Sequence, residues 1–239
     1  LAHTTLGTTV LSMATATGFT NTGTGGFTSA MSVTRTFTFG TTGGSTTNAP
    51  NLALTTGASI PTITTGSWFN LLNFTGSTCT PATTTLNLNS LTLASGGTYT
   101  ALTATMVGTG TITSVTKTIA ALTINHTGTT TLADALSLVA TGTTTLTAGT
   151  LALAGFTLTT GIFASTNTNT RSITFSTGNI NLTHTTLATV VLSMAIATGF
   201  TYTGTGGFTV ADMAVTRTFT FGTTGGSTTN APNLTFTTG

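Results

Sequence analysis

Groups able to titrate, attack or coordinate are scarce in this sequence of 239 residues. Asp134 and Asp212 are its only carboxylates, and they stand in unrelated sequence contexts. A glycosidase-type pair needs two carboxyl groups close together, so each Asp is read as a turn cap or a lone surface charge. His3 and His184 share the setting His-Thr-Thr-Leu, whereas His126 follows Asn125 in a different one. Zinc takes three or four converging ligands, commonly His and Cys; the single Cys79 and three scattered histidines do not provide them. A lone Cys also excludes an intrachain disulfide. No Gly-x-Ser-x-Gly elbow or phosphate-binding Gly-Lys-Ser/Thr loop occurs. Gly23-Thr24-Gly25-Gly26 and Gly204-Thr205-Gly206-Gly207 lack a following helical segment and are read as tight turns. No catalytic, cofactor-binding or metal-binding residue is assigned, no cofactor is implied, and no enzymatic activity is expected.

The cations are equally sparse. Arg35, Lys117, Arg171 and Arg217 give a net charge of +2 and a pI near 9.2, but they are dispersed along the chain. Nucleic-acid binding needs a clustered basic face, and none is expected. Each Arg follows a Thr, and the expected place for it is a coil edge, donating to turn carbonyls or reaching solvent. Trp68, Phe69 and Phe74 form the densest aromatic cluster and are expected in a core or at a coil end rather than as a sugar platform. Four Asn-x-Thr triplets begin at Asn73, Asn125, Asn181 and Asn233. With Thr at about a third of all residues, such triplets arise by composition alone.

The same composition dictates the elements. Charged residues make up 3%, against about 25% in ordinary soluble domains. Thr is β-branched and favours extended backbone, while Glu and Gln, both good helix formers, are absent. An almost purely β chain follows. Disordered chains combine low hydrophobicity with high net charge, but here hydrophobic residues reach 38% and mean hydropathy is +0.41. Residues 36–116 contain no charge, yet Thr, Gly, Ser or Asn interrupts every apolar run. A spanning helix needs about 20 mostly apolar residues in succession, so no membrane span is expected. Aromatic girdles of the kind found in transmembrane barrels are missing as well. The chain starts at Leu1 without a basic n-region and reads as an internal piece of something longer.

Repetition is the strongest signal. Residues 1–57 recur at 182–239 with few changes, among them Thr9 to Val190, Thr15 to Ile196, Asn21 to Tyr202 and Leu54 to Phe236. One residue is added near Asp212, so the super-repeat is about 181–182 residues. The array 1–239 is read as one continuous unit. A shorter echo links Thr34-Arg35-Thr36-Phe37-Thr38-Phe39, Thr170-Arg171-Ser172-Ile173-Thr174-Phe175 and Thr216-Arg217-Thr218-Phe219-Thr220-Phe221, and suggests a sub-repeat of about 45 residues made of two coils of about 22. Locally the period is two, as in Thr85-Leu86-Asn87-Leu88-Asn89 and Thr144-Thr145-Leu146-Thr147. Short strands bounded by Gly, Asn and Ser turns follow. Near-identical units side by side bury the same face in the same way. The predicted fold is therefore an all-β parallel solenoid, with Leu, Ile, Val and Phe stacked inside and Thr and Asn in ladders outside. Stacked immunoglobulin-like modules are the competing architecture.

Residues 148–175, AGTLALAGFTLTTGIFASTNTNTRSITF, followed by the Gly178-Asn179 turn, carry a resemblance. The pattern is similar to repetitive fibre proteins of tailed phages, especially marine ones, and to related bacterial surface adhesins. It implies a fibre and no catalytic signature. The expected role is a structural segment of a long extracellular fibre at a cell or virion surface. Its partners would be copies of itself, end to end or side by side, with receptor glycans bound by other parts. A phage tail-fibre shaft is one alternative; an ice-binding Thr-array module, which would show one unusually regular Thr face, is another.

Overall fold

A computed structural model describes residues 8–22, 25–75, 78, 80–186, 189–211 and 215–237. His3, Cys79 and Asp212, with Gly23 and Thr24 of the first Gly-rich run, lie outside the described residues. The chain winds into an all-β parallel β-solenoid of about 10 turns, with no helix among the described residues. At about 4.8 Å per stacked strand, that is a rod on the order of 45 Å long.

Three strand columns run along it. The first stacks Thr8–Thr15 on Arg35–Thr42 and on Thr62–Ile63. Thr84 Oγ1 then donates to Ile63 O at 2.9 Å. The column continues through residues 84–88, 102–106, 121–124, 144–146 and Ile162–Ala164 to Thr189–Ile196 and Arg217–Thr224. The second carries Gly26–Ala30, Asn51–Thr55, residues 71–73 and 90–92, Gly110–Thr113, and residues 130–132 and 149–152. Arg171–Ser176 and Phe200–Gly204 extend it. The third holds residues 118–119, Leu136–Leu138, Leu158–Thr160, Ile180–Leu182, Gly207–Ala211 and Asn233–Thr237.

Alternation explains why these strands form. Successive side chains of a strand point to opposite faces, so Leu86 and Leu88 enter the core while Thr85 and Asn87 face outward. Their neighbours one coil on, Ala104 and Met106, are equally buried. One hydrophobic cluster results, running from Leu11 to Val210. Outside it, hydroxyls meet across coils: Thr38 Oγ1 and Thr64 Oγ1 are 2.5 Å apart, and Thr150 Oγ1 and Ser172 Oγ are 2.7 Å apart. An amide ladder climbs from Asn51 to Asn70 to Asn89, with bonds of 2.8 and 2.9 Å.

Coil length is not constant. Side chains that meet across one coil are separated by 26 or 27 residues in the first repeated block, 18 to 22 in the middle, and 27 to 29 toward the second block. The sequence estimate of about 22 describes the middle alone. The 26-residue coil from Thr38 to Thr64 includes the long turn of residues 43–50, and residues 225–232 repeat that turn in the second block.

The two copies of the repeated block keep the same internal register, including irregularities between Thr9/Leu11 and Met13/Thr15, matched by Val190/Leu192 and Met194/Ile196. They differ in what lies beside them. Asn51–Thr55 continues the second column through Leu72, whereas its counterpart Asn233–Thr237 continues the third through Phe208 and Ile180. The Arg echo also divides: Arg35 and Arg217 open strands of the first column, Arg171 a strand of the second. What the echo shares is local, an Arg at a corner followed by inward residues two and four positions on.

Candidate functional site

Among the described residues Arg171 is the most buried charge, 1% exposed. Its Nε donates to Ser165 Oγ at 2.6 Å, Nη1 to Asn169 O and Thr198 O at 3.0 and 2.9 Å, and Nη2 to Ser165 O at 3.0 Å and to Ile196 O. Its Cζ stands 5.8 Å from the ring centre of Phe200. Every one of these acceptors is neutral. Burial pulls the guanidinium pKa below its ordinary value, and carbonyl dipoles with a ring face take the place of a counter-ion. The acceptors come from two successive coils, so the side chain rivets one corner to the next. Arg35, 3% exposed, donates in similar fashion to Ser29 Oγ at 2.7 Å and to Ala30 O.

Asp134 does comparable work with opposite charge. One oxygen accepts from Ser114 N and Ser114 Oγ, both at 2.8 Å, and the other from Val115 N at 2.7 Å. The turn it holds contains Val115 and Thr116 at φ 51° and 60°. β-Branched residues rarely adopt this left-handed backbone, so the carboxylate stabilises a strained corner.

His126 lies at a register shift between Asn125 and Thr129. Its Nδ1 accepts from Gly128 N at 2.9 Å, which leaves Nε2–H to donate to Thr130 Oγ1 at 2.9 Å. Burial lowers its pKa because the charged imidazolium is poorly solvated there. His184 accepts from Thr186 N in the same i to i+2 manner, at 3.2 Å. These are fold-holding bonds within the coils.

The remaining candidates are dispersed as well. Phe69 and Phe74 are core residues, Phe74 edge-on to Tyr99 at 5.0 Å, and Trp68 packs half-buried against the core. Of the four Asn-x-Thr triplets, Asn125 and Asn233 are exposed, Asn181 is half-buried, and Asn73 accepts from Thr75 N at 2.7 Å. Gly204 has φ 100°, consistent with a tight turn in the second Gly-rich run. No cluster of three His, Cys, Asp or Glu side chains occurs among the described residues. A groove between Thr92, Leu93, Ala94, Thr113 and Val115 has no titratable side chain in its lining. No helix among the described residues is long and apolar enough to cross a membrane.

Sequence reasoning named the Arg and Asp positions and left each between a corner bond and a solvated charge; Arg35, Arg171 and Asp134 make corner bonds. It missed the corner at Val115 and Thr116, which carries none of the usual glycine signal. It also missed how completely Arg171 is buried, since nothing in Thr-Arg-Ser indicates two coils of carbonyls around it. Comparison with protein-family models, with curated proteins and with solved structures returns no match.

Proposed function

We propose that this chain is a structural, non-enzymatic segment of a long extracellular fibre. The observation that carries the reading is the succession of parallel strand pairings over a single core from Leu11 to Val210. In a parallel solenoid the interstrand hydrogen bonds run along the rod, so tension on its ends is shared among many such bonds. Few contacts depend on ionisation, which suits an object exposed to changing pH and salt. Arg171, Asp134 and His126 all spend their polar atoms on corners, leaving the surface to neutral hydroxyls and amides.

The resemblance of residues 148–175 to phage and bacterial surface fibres favours an exposed shaft, and copies of the chain are its natural partners. Imaging the native particle by electron microscopy tests this. A filament or rod bearing the super-repeat is expected; a compact particle without filaments overturns the reading. A rod ending on a virion would specify the tail-fibre alternative. An ice-binding role draws less support, because hydroxyl columns run on all three faces and are interrupted, for example by Ala121, Ala152 and Asn181.

A further inference from the structure

The turn of residues 43–50 sits at the corner between the first and second columns, in the coil of Arg35–Thr42 and Asn51–Thr55. Its contacts are not confined to that coil. Toward the preceding coil, Asn48 Nδ2 donates to Ala16 O at 3.2 Å, and Asn21 Nδ2 donates to Ala49 O at 3.0 Å. Toward the following coil, Asn70 N donates to Pro50 O at 2.9 Å. Gly44 lies so close to the indole of Trp68 that a side chain at 44 would run into Trp68 Cδ1 and Cγ. Thr46 reaches further: its Cγ2 stands 3.1 Å from the point where a Cβ on Gly108 would be. Gly108 lies between Tyr99–Met106 and Gly110–Thr113. The coils of Trp68–Asn73 and of Thr84–Thr92 separate that coil from the turn's own. Three coil spacings are roughly 14 Å, so the turn lies along the rod rather than around it.

Stacked repeats ordinarily touch only their nearest neighbours, and each then opens under the control of the two beside it. We infer that the 43–50 turn is a longitudinal clasp. It is anchored at Ala16, seats on Trp68 and ends on Gly108, so that the coils from Arg35 to Thr113 open as one unit. The residues fit this task. Asn48 closes the turn on itself, accepting from Ser45 N at 2.8 Å and donating to Gly43 O at 2.9 Å, which stiffens the strap. Glycine at 44 and 108 permits an approach that any side chain there would obstruct. Trp68, the only tryptophan of the sequence, offers one broad apolar surface as the seat. A contact that skips neighbours also fixes which coil follows which, something that similar hydroxyl ladders do not. The device concerns coils of a single chain and stands whether or not that chain belongs to a fibre.

The test uses the full chain, with nonspecific proteolysis and native-state hydrogen exchange as readouts. Cleavage within a segment follows the population of its opened form. The parent should resist cutting at 43–50, and the amides of Asn51–Thr55 and Gly110–Thr113 should share one opening free energy. Trp68→Ala removes the seat. Cleavage within 43–50 should then quicken roughly tenfold or more, and the two strands should open separately, Asn51–Thr55 the faster. Trp68→Phe, which keeps an aromatic face against Gly44, should restore part of the protection. Thr46→Ser deletes only the methyl group at an exposed position. It should quicken cleavage about fourfold, one buried carbon's worth, and it supplies the answer if Trp68→Ala does not fold. Cleavage equally fast in the parent and Thr46→Ser, or independent opening of the two strands in the parent, would overturn the clasp.

Discussion

Asp134 and Ser114, 20 residues apart, face each other across a single coil, and one carboxylate oxygen takes both the N–H and the O–H of the serine. The adjacent Val115 N–H goes to the other oxygen. Asp134→Ala leaves the N–H groups of Ser114 and Val115 to find water at a corner already in left-handed backbone, while Ser114 Oγ keeps Ala135 O at 2.7 Å. A loss of about 2–3 kcal/mol is expected, since bonds to charged groups are the stronger ones. Val115→Gly in the same background should recover part of it by removing the strain at φ 51°. Chemical denaturation of both variants measures this; an Asp134→Ala protein as stable as the parent would refute the capping role.

Arg171 makes its bonds with a planar fork that a lysine cannot reproduce. Arg171→Lys should therefore be nearly as damaging as Arg171→Met, each by about 3 kcal/mol or more, because carbonyls of two coils lose their donors. Thermal unfolding followed by circular dichroism reads the effect. Full rescue by lysine would mean that charge alone matters at this corner.

The burial of His126 gives a pH dependence with a definite sign. Its folded pKa lies below the ordinary value of about 6.5, so the unfolded chain binds the proton first as pH falls. The stability tied to neutral His126 is fully present above that value and is lost as pH drops through 6.5 toward the folded pKa. Protonation also removes the Nδ1 acceptor of Gly128 N–H. Denaturation midpoints at pH 7.5 and pH 5 should differ in the parent and differ less in His126→Asn. Equal slopes in the two proteins would remove His126 as the cause.

Thr144 sits between Leu122 and Phe163 in the first column, fully buried, with a hydroxyl that finds no hydrogen-bond partner. Burying such a group costs about 1–3 kcal/mol, and Val has nearly the same shape. Thr144→Val should raise the unfolding temperature by roughly 2–4 °C for each kcal/mol gained. A lower unfolding temperature would show that the hydroxyl is bonded in solution.

Much of the architecture was legible in the residues because it rests on period two. Leu86 and Leu88 flank Asn87, Leu122 and Ile124 flank Thr123, Leu151 and Leu153 flank the small Ala152, and all six are buried. The Thr and Asn ladders follow from that alternation plus stacking. Corner length was not legible. Ser45, Asn48 and Gly43 close the 43–50 turn through the Asn48 side chain, which accepts from Ser45 N and donates to Gly43 O. No spacing rule announces such a bond. The column a strand joins is likewise set by the neighbouring coil, so Asn51–Thr55 and Asn233–Thr237 part company despite their shared sequence. A corner without glycine, such as Val115 and Thr116, depends on an acid one coil away that no local pattern connects to it.

The uneven coils also bear on how the object bends. Resistance to bending rises steeply with the thickness of a rod, and this one is stout at both repeated blocks and slender between them. Curvature under a sideways load will therefore gather in the slender stretch, roughly residues 66–165, while the blocks stay straight. A string of such units would behave as stiff segments joined by springs, so the corner lengths set its compliance.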